Sequence, residues 1–420
     1  MTPEVKERIE QIRHGNVPEG YKKLGKEIIP ADWKRQPFSE LGIIASGLVD
    51  PREEPYCHMQ HVGPENIEKD TGRVLDTQSA SELGLISGKF YFDSESIVYS
   101  KIRPNLNKVC APQFEGVCSA DCYSIKPTEE IDKTYLLNLM LDYRFYKRAV
   151  ECSMRTGMPK INQDDLNIIT MCYPASKVEQ GKIAEILTAQ DQVVSQKEKL
   201  LAEKQRQKKY LMQQLLTGKK RLPGFDGEWK KVKLRKLLKE RKTYSPKGTE
   251  YPHVTLSTEG IYAKSERYDR DHLVKNDDKE YKITHRGDIC YNPANLKFGV
   301  ICMNSFGDAI FSPIYVTFEV IGKVCPEFLA AYLMRWDFIN AVRKYEEGTV
   351  YERMAVKPED FLKFEMMLPP YEEQVAIAKI LSTADKEIEL HRQDLEQEKQ
   401  KKKALMQLLL TGIVRVTTDK

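Results

Sequence analysis

Several segments carry residue types that take part in catalysis elsewhere, and each lacks part of the pattern that its chemistry requires. Asn292-Pro-Ala-Asn295 begins like the Asn/Asp-Pro-Pro-aromatic motif of amino-methyltransferases but lacks the second proline and the aromatic ring. Thr217-Gly-Lys-Lys has no upstream glycine at the spacing of a phosphate-binding loop. The residues that could be drawn as a zinc site do not follow the spacing of a finger or ribbon: Cys110, Cys118 and Cys122 with His58 or His61. We therefore expect a binding protein and no catalytic site.

Two segments in the first half are rich in side chains that contact nucleic acids. The first follows a predicted strand and contains Lys101, Arg103, Asn105, Asn107 and Lys108. The second contains Arg155, Thr156 and Lys160. Arginine and asparagine can make bidentate contacts to guanine and adenine edges, whereas lysine more often meets phosphate. The alternative is a turn stabilised by asparagine side chains, and it applies best to Asn107.

The second half offers counterparts at matching places. They are Tyr291, Asn292, Asn295 and Lys297, followed by Thr349, Tyr351 and Arg353. A tryptophan opens each half, Trp33 in the first and Trp229 in the second, and we expect both to be core anchors and not base-stacking platforms.

An internal repeat sets the architecture that positions these segments. Residues 179–218 and 373–412 align without a gap, and roughly two in five positions are identical. Each copy follows proline and ends in Thr-Gly. The blocks before the two copies also match in order: a tryptophan entry, a β-rich region, a helical stretch (Tyr135–Val150 and Pro326–Lys344), and a final strand.

Each repeat is predicted to form one long helix. Apolar residues recur on alternating three- and four-residue steps, which is the spacing of a coiled-coil seam. Polar residues interrupt the seam, so we expect the two helices of one chain to pair with each other. Gly218 and Gly412 stand where C-cap glycines belong. A helix of about 38 residues is roughly 57 Å long, enough to act as a spacer between domains; the alternative is a dimerisation coiled coil.

Composition places the chain among cytoplasmic proteins. It has 420 residues, a net charge of +4 and nine cysteines without a regular framework, which fits reduced thiols. No signal-peptide layout or membrane-length apolar run is present in the sequence. Residues 197–247 hold about 18 Lys/Arg against about 5 Asp/Glu, a block that can face phosphates or form a solvated basic surface.

The order of these parts resembles the specificity subunits of type I restriction-modification systems. The resemblance covers the chain from about residue 20. It rests on the Tyr-Ser-Lys-Ile-Arg-Pro-Asn segment at 99–105, the Glu-Gln helix starts at 179–180 and 373–374, and the Leu-Leu-Thr-Gly helix ends at 215–218 and 409–412. All but the first of these features are duplicated.

The resemblance implies an α+β fold with two pseudo-twofold-related target recognition domains separated by two long antiparallel coiled-coil helices. The segments expected are an N-terminal extension at 1–29, recognition domains at 30–173 and 223–368, a central helix and linker at 174–222, and a C-terminal helix at 369–420. Each domain is expected to read one half of a bipartite, asymmetric duplex DNA target, while the helices set the gap.

The same resemblance implies partners that carry the chemistry. Two methyltransferase subunits dock on the helices and hold S-adenosylmethionine, and restriction subunits use ATP and magnesium; this chain is expected to hold no cofactor and no metal. For the helix and partner interface we name the apolar helix residues Leu187, Leu211, Leu215, Leu381, Leu405 and Leu409. Two rival hypotheses are a fused methyltransferase and a two-domain coiled-coil scaffold without DNA specificity.

Overall fold

The computed structural model describes residues 3–153, 159–246, 251–264, 280–345 and 355–417. The chain forms two compact units. Unit 1 comprises Met1–Lys197 and Asp394–Lys420, and unit 2 comprises Glu198–Gln393. Each unit therefore combines one globular block with the first part of one long helix and the last part of the other.

Unit 1 is built on a four-stranded antiparallel sheet of order β4-β10-β7-β8, with a three-stranded sheet of order β5-β9-β6 and two strand pairs, β1-β2 and β3-β11. The strands are β1 Tyr21–Leu24, β2 Glu27–Pro30, β3 Trp33–Pro37, β4 Gly42–Ile44, β5 Gln60–Val62, β6 Phe90–Phe92, β7 Ile97–Ser100, β8 Val109–Cys110, β9 Gly116–Cys118, β10 Cys122–Pro127 and β11 Thr170–Pro174. The helices of the globular block are α1 Pro3–Arg13, α2 Lys133–Leu141, α3 Tyr143–Ser153 and α4 Gln163–Asn167.

Unit 2 repeats this plan. Its four-stranded sheet has the order β13-β21-β18-β19, beside the sheet β14-β17-β20 and the pairs β12-β22 and β15-β16. The strands are β12 Lys230–Lys233, β13 Leu238–Glu240, β14 Tyr244–Pro246, β15 Val254–Ser257, β16 Gly260–Ala263, β17 Glu280–Thr284, β18 Ile289–Tyr291, β19 Ile301–Met303, β20 Ala309–Phe311, β21 Val316–Val320 and β22 Glu365–Leu368. The helices of its globular block are α6 Pro326–Leu333, α7 Trp336–Val342 and α8 Pro358–Lys363.

The two repeats form the long helices α5 Lys177–Leu215 and α9 Tyr371–Leu409, each of 39 residues. Gly218 and Gly412 follow them with φ of 70° and 71°, as expected of C-cap glycines. Each glycine also lies against the tryptophan of its own unit. A Cβ at Gly412 would come within 3.1 Å of Trp33, and one at Gly218 within 3.4 Å of Trp229.

The helices pair antiparallel within each unit, because residue numbers rise on one helix as they fall on the other. In unit 1, Asp191 pairs with Lys402 at 2.5 Å and Lys197 with Asp394 at 2.6 Å. In unit 2, Lys204 pairs with Glu387 at 2.5 Å, and Lys208 pairs with Asp385. The polar residues that interrupt the apolar seam thus meet polar partners, and such pairs specify register. The predicted α+β fold with antiparallel long helices is confirmed.

The helix residues that we assigned to a partner interface lie in or against the domain cores. Leu187 and Leu409 are buried in the core of unit 1, and Leu215 and Leu381 in that of unit 2. Leu405 and Leu211 are partly buried against the same two cores. The sequence left open whether these leucines face the sister helix or a partner protein; the buried four have their apolar surface covered by their own unit.

The helical stretch predicted in each block is broken into two helices. Between α2 and α3, Asp142 adopts an extended conformation with ψ of 144°; between α6 and α7, Arg335 does so with ψ of 136°. Each break turns a charged pair toward the end of a long helix.

Candidate nucleic-acid interface

The loop between β7 and β8 of unit 1 holds the first predicted group of donors. Pro104 begins a 3-10 turn at Pro104–Leu106, and its fixed φ suits that position. Residues in the left-handed conformation flank the turn: Arg103 with φ of 48° and Asn107 with φ of 44°. This conformation is uncommon for residues other than glycine, and it holds the loop as a defined projection.

The structure brings the described end of the second predicted segment, residues 159–161, against this loop. The backbone N–H of Arg103 donates to Pro159 O at 2.8 Å, and that of Ile161 donates to Lys101 O at 2.9 Å. Ile102 and Lys160 therefore face each other in an antiparallel bridge. Lys160 therefore lies beside the β7–β8 loop although it is far from the loop in sequence.

Two ammonium groups converge on this surface. The Nζ of Lys101 lies 5.3 Å from the ring centroid of Tyr123, and burial together with the nearby Lys160 charge lowers the pKa of Lys101. Neither lysine forms an ion pair within the described residues. The carboxylate of Asp121 also acts on Lys101 but forms no ion pair with it. Adjacent cations without an ion-pair partner favour an anion between them, and a phosphate is such an anion.

Arg103 and Asn105 project beside these lysines. Both are exposed, and within the described part of the chain neither side chain has a hydrogen-bond partner. An exposed guanidinium on a fixed loop can grip a guanine edge or a phosphate with two N–H groups at once.

Two members of the predicted group serve the fold. Asn107 is only 5% exposed, and its amide donates to Leu141 O at 3.3 Å, so the prediction that it contacts DNA is wrong. Lys108 is half-buried, and its Nζ donates to Pro64 O, which ties the loop to the neighbouring segment. The backbone N–H of Asn107 closes the turn by donating to Pro104 O, while its side chain ties the turn to the end of α2.

The equivalent loop of unit 2 joins β18 to β19. Its 3-10 turn is Leu296–Phe298, closed by Gly299 with φ of 79°. Asn295 is exposed, and the Nζ of Lys297 lies 5.2 Å from the ring centroid of Phe298. These residues occupy the place of the Arg103–Asn107 projection.

Tyr291 and Asn292, predicted to contact DNA, are structural. Tyr291 is fully buried, stacks 4.9 Å from Phe361 and donates its hydroxyl to Val356 O at 3.0 Å. Asn292 is 7% exposed, and its Oδ1 accepts from the N–H of Ala294 and Asn295. Tyr291 is buried because strand β18 is buried on both faces, and Asn292 is buried because its side chain turns inward to hold the following turn; both placements speak against the predicted DNA contacts.

The remaining predicted residues lie outside the described residues, and the structure says nothing of them. They are Arg155, Thr156, Thr349, Tyr351 and Arg353.

At the start of each long helix, an arginine donates hydrogen bonds to a buried glutamate. In unit 1, Arg415 donates to Glu179 at 2.6 and 2.7 Å and to Asp32 at 2.9 and 3.0 Å. In unit 2, Arg221 donates to Glu373 at 2.7 and 2.8 Å. Glu179 and Glu373 occupy equivalent positions in the repeat, and both are buried.

Buried glutamines complete each helix start. Gln180 accepts from Asp132 N at 2.7 Å and donates to Pro174 O at 2.9 Å. Gln374 accepts from Cys325 N at 2.9 Å and donates to Pro369 O at 2.8 Å. The Glu-Gln pair that opens each repeat thus fastens the helix to its own globular block.

Two arginines that were not predicted from the sequence hold the helix ends. Arg144 donates to Leu410 O at 2.7 Å in unit 1, and Arg335 donates to Leu216 O at 3.0 Å in unit 2. Each also pairs with an aspartate two residues away, Asp142 or Asp337. The arginines satisfy a carbonyl that the helix end leaves open and complement its negative dipole.

The cysteines behave as buried thiols. Cys110, Cys118 and Cys122 are buried, and burial raises the pKa of Cys118 to about 12.

Among the described residues, Glu54, Cys57 and His58 form the group whose side-chain atoms lie as close together as metal ligands do. Within the same residues, no helix is long and apolar enough to cross a membrane.

The family of the chain follows from its sequence. The model of the type I restriction modification DNA specificity domain matches residues 66–204 and 227–400. These two matches cover most of both globular blocks and of both long helices. The chain therefore belongs to this family.

Two relatives illustrate the range of similarity. The EcoDI specificity subunit of a type I restriction enzyme from Escherichia coli is 37% identical over 172 residues, which are 41% of this chain and 36% of that protein. The putative type I restriction enzyme MjaX specificity subunit from Methanocaldococcus jannaschii is 25% identical over 447 residues, covering 95% of this chain and 98% of that protein. This chain thus matches about a third of the first relative's length and nearly all of the second.

Solved structures share the fold. The S subunit of a type I restriction-modification system from M. genitalium has a TM-score of 0.56 at 12% identity, over 94% of this chain and 99% of that one. A chain from a structure of the assembly and conformational transition of the type I R-M system has a TM-score of 0.59 at 16% identity, over 92% of this chain and 99% of that one. At these identities the likeness describes the fold alone.

Proposed function

We propose that the chain is the DNA-recognition subunit of a type I restriction-modification complex and that each unit reads one half of a bipartite, asymmetric target. The observation that carries the proposal is the unpaired cationic surface of unit 1, formed by Lys101, Arg103 and Lys160. Family membership supplies the class of ligand, and this surface supplies a place for it on the chain.

The contacts divide by chemistry. Lys101 and Lys160 hold a phosphate and set the register of the duplex, whereas Arg103 and Asn105 reach base edges and carry sequence information. In unit 2, Asn295 and Lys297 take the corresponding roles. Because these exposed residues differ between the two units, the two half-sites differ as well.

The catalytic steps belong to other subunits in this proposal. Two methyltransferase subunits bind S-adenosylmethionine and modify the DNA, and restriction subunits act with ATP and magnesium. The repeat supports two copies of one partner, since each unit presents the same elements in the same order. All nine cysteines are free, which supports assembly in the reducing cytoplasm.

Salt dependence of DNA binding tests the phosphate contacts. The chain, reconstituted with its methyltransferase subunits, is titrated with duplex DNA between about 50 and 200 mM salt. Lys101→Met and Lys160→Met are each expected to weaken binding to all sequences and to reduce the slope of log affinity against log salt by about one.

Lys26→Met is the matched control, because Lys26 is an exposed lysine in the turn between β1 and β2 of the same unit. It should leave the slope unchanged. An unchanged slope for both Lys101→Met and Lys160→Met, with the complex intact, contradicts the assignment of this surface. A wild-type complex without salt-dependent DNA binding supports the scaffold alternative instead.

A further inference from the structure

The β18–β19 loop of unit 2 presents an aromatic ring to solvent. Phe298 is 62% exposed, while its neighbour Leu296 is fully buried and anchors the 3-10 turn. The ammonium of Lys297 lies 5.2 Å from the Phe298 ring centroid. A single exposed ring is ordinary on a protein surface, so the residues around Phe298 decide whether the ring serves a ligand.

The loop around the ring is fixed by its own hydrogen bonds. Oδ1 of Asn292 accepts from two backbone N–H groups, those of Ala294 and Asn295, and the N–H of Phe298 donates to Asn295 O at 3.0 Å. The N–H of Gly299 then donates to Leu296 O at 2.8 Å. The Phe298 backbone is therefore held before any ligand arrives, which lowers the entropic cost of using its ring.

A second exposed aromatic residue lies beside the loop. Trp336, the first residue of α7, is 56% exposed, and a Cβ at Gly299 would lie 4.0 Å from its ring. The described segment Asn292–Gly299 carries the charge of Lys297 and no acidic residue. An aromatic and cationic surface of this kind suits nucleic acid, because bases stack on rings while phosphates meet the ammonium.

The repeat distinguishes DNA from a protein partner as the occupant. At the position of Phe298, unit 1 has Leu106, which is only partly exposed. A surface that docks the same partner subunit on both units must recur in both, whereas a surface that reads a half-site need not. The exposed aromatic residue at the start of the neighbouring helix recurs, as Trp336 in unit 2 and Tyr143 in unit 1, whereas Phe298 has no aromatic counterpart. The asymmetry, and with it a ligand specific to unit 2, therefore rests on Phe298.

We propose that Phe298 inserts at a base step of the half-site read by unit 2, with Lys297 on the adjacent phosphate. The inference rests on the proposed function and adds a mode of recognition to it. Partial unstacking at that step favours deformable pyrimidine–purine steps, so unit 2 selects sequence through DNA deformability as well as through base edges. Unit 1 has Leu106 at the place of this ring and leaves its half-site stacked.

The test uses 2-aminopurine, whose fluorescence rises on unstacking, placed in turn at each position of the target duplex. The full chain is reconstituted with its methyltransferase subunits, and the half-site of unit 1 is assigned as the one altered by Arg103→Ala. The wild-type complex is expected to raise the fluorescence several-fold at one step of the other half-site only.

Phe298→Ala should abolish this rise and weaken binding on the order of ten- to hundred-fold, as loss of a stacked ring does. Phe298→Trp should retain both properties. Phe306→Ala is the control: Phe306 is 39% exposed, belongs to the same unit and follows β19, whereas Phe298 precedes it. It should behave as the wild type.

Three outcomes overturn the inference. Phe298→Ala with unchanged fluorescence and affinity removes the ring from the DNA contact. Phe298→Ala that fails to assemble with the methyltransferase subunits makes Phe298 part of a protein interface. Equal rises in both half-sites refute the asymmetry. Failure of the proposed function gives a different result from these three, because the wild-type complex would then select no bipartite target at all.

Discussion

The hydrogen bonds of Arg415 at the start of α5 lead to a quantitative stability prediction. Arg415 makes four charged hydrogen bonds, two to Glu179 and two to Asp32. The side chain of Glu179 is 2% exposed, whereas that of Asp32 is 60% exposed. Arg415→Met therefore leaves one buried and one solvated carboxylate without their cationic partner, and only the buried one lowers the stability of the fold substantially.

Breaking a fully buried pair costs about 3–5 kcal/mol. About a third of the Arg415 side chain is exposed, so we expect the lower part of this range or slightly less, ~2–3 kcal/mol. For a unit of about 200 residues this corresponds to a fall in Tm of roughly 5–10 °C. Asp32→Asn should cost under about 1 kcal/mol, as exposed pairs do.

Differential scanning calorimetry of the full chain at pH 7 measures these shifts. The double variant Arg415→Met/Glu179→Met removes both charges of the buried pair and should regain most of the lost stability. Two results refute the reasoning. One is Asp32→Asn as damaging as Arg415→Met; the other is a double variant less stable than Arg415→Met alone.

Three further predictions concern recognition, spacing and pH. Arg103→Ala should relax or weaken recognition of one half-site, by about 1–3 kcal/mol if it grips a base edge, and leave the other untouched in motif selection; equal loss at both half-sites indicates a folding defect or a phosphate-only role. Adding or removing one heptad in both α5 and α9 keeps the seam in phase and should change the permitted gap alone; new half-site sequences at an unchanged gap contradict the spacer role. Hydrogen bonds from Lys204 and Gln190 lower the pKa of Glu387 and Glu398 below the ordinary 4.5, so their stabilisation is complete above that pH and is lost as the pH falls through the lowered values. Thermal stability should therefore drop in acid, less steeply in Glu387→Gln, and identical pH profiles for this variant and the wild type would argue against the effect.

The two long helices and the two-unit plan were predictable because the internal repeat determines them. The seam spacing, the glycines at 218 and 412 and the matched order of landmarks each state a local preference that the structure follows. The polar seam positions also predicted intrachain pairing, since each needs a polar partner at a fixed register.

The site residues were harder to predict because the sequence does not distinguish polar side chains on a buried strand from polar side chains on an exposed loop. Tyr291 ends β18, and a strand buried on both faces shows no alternation that would mark its residues as internal. Asn292 follows the strand and is buried because its side chain holds the turn before exposed Asn295. Tyr99, near the matching end of β7, is buried in the same way. Asn107 is buried at the end of its turn, where it adopts the left-handed conformation that asparagine tolerates better than most residues.

The helix-end arginines escaped prediction for a different reason. Unit 1 carries Asp142-Tyr-Arg144 and unit 2 carries Arg335-Trp-Asp337, so the charges are exchanged about the aromatic residue. A linear comparison of the halves places an arginine opposite an aspartate and hides their common role. The structure reveals it because both arginines bond the carbonyl at the same position of a helix end.

Selection from random duplex DNA tests the central claim most directly. The chain is incubated with and without the proposed methyltransferase subunits, and the retained duplexes are sequenced. The account predicts a split, asymmetric motif with a fixed non-specific gap, in which Arg103→Ala alters one half only. Duplexes without enrichment in either condition would contradict it and leave a scaffold protein.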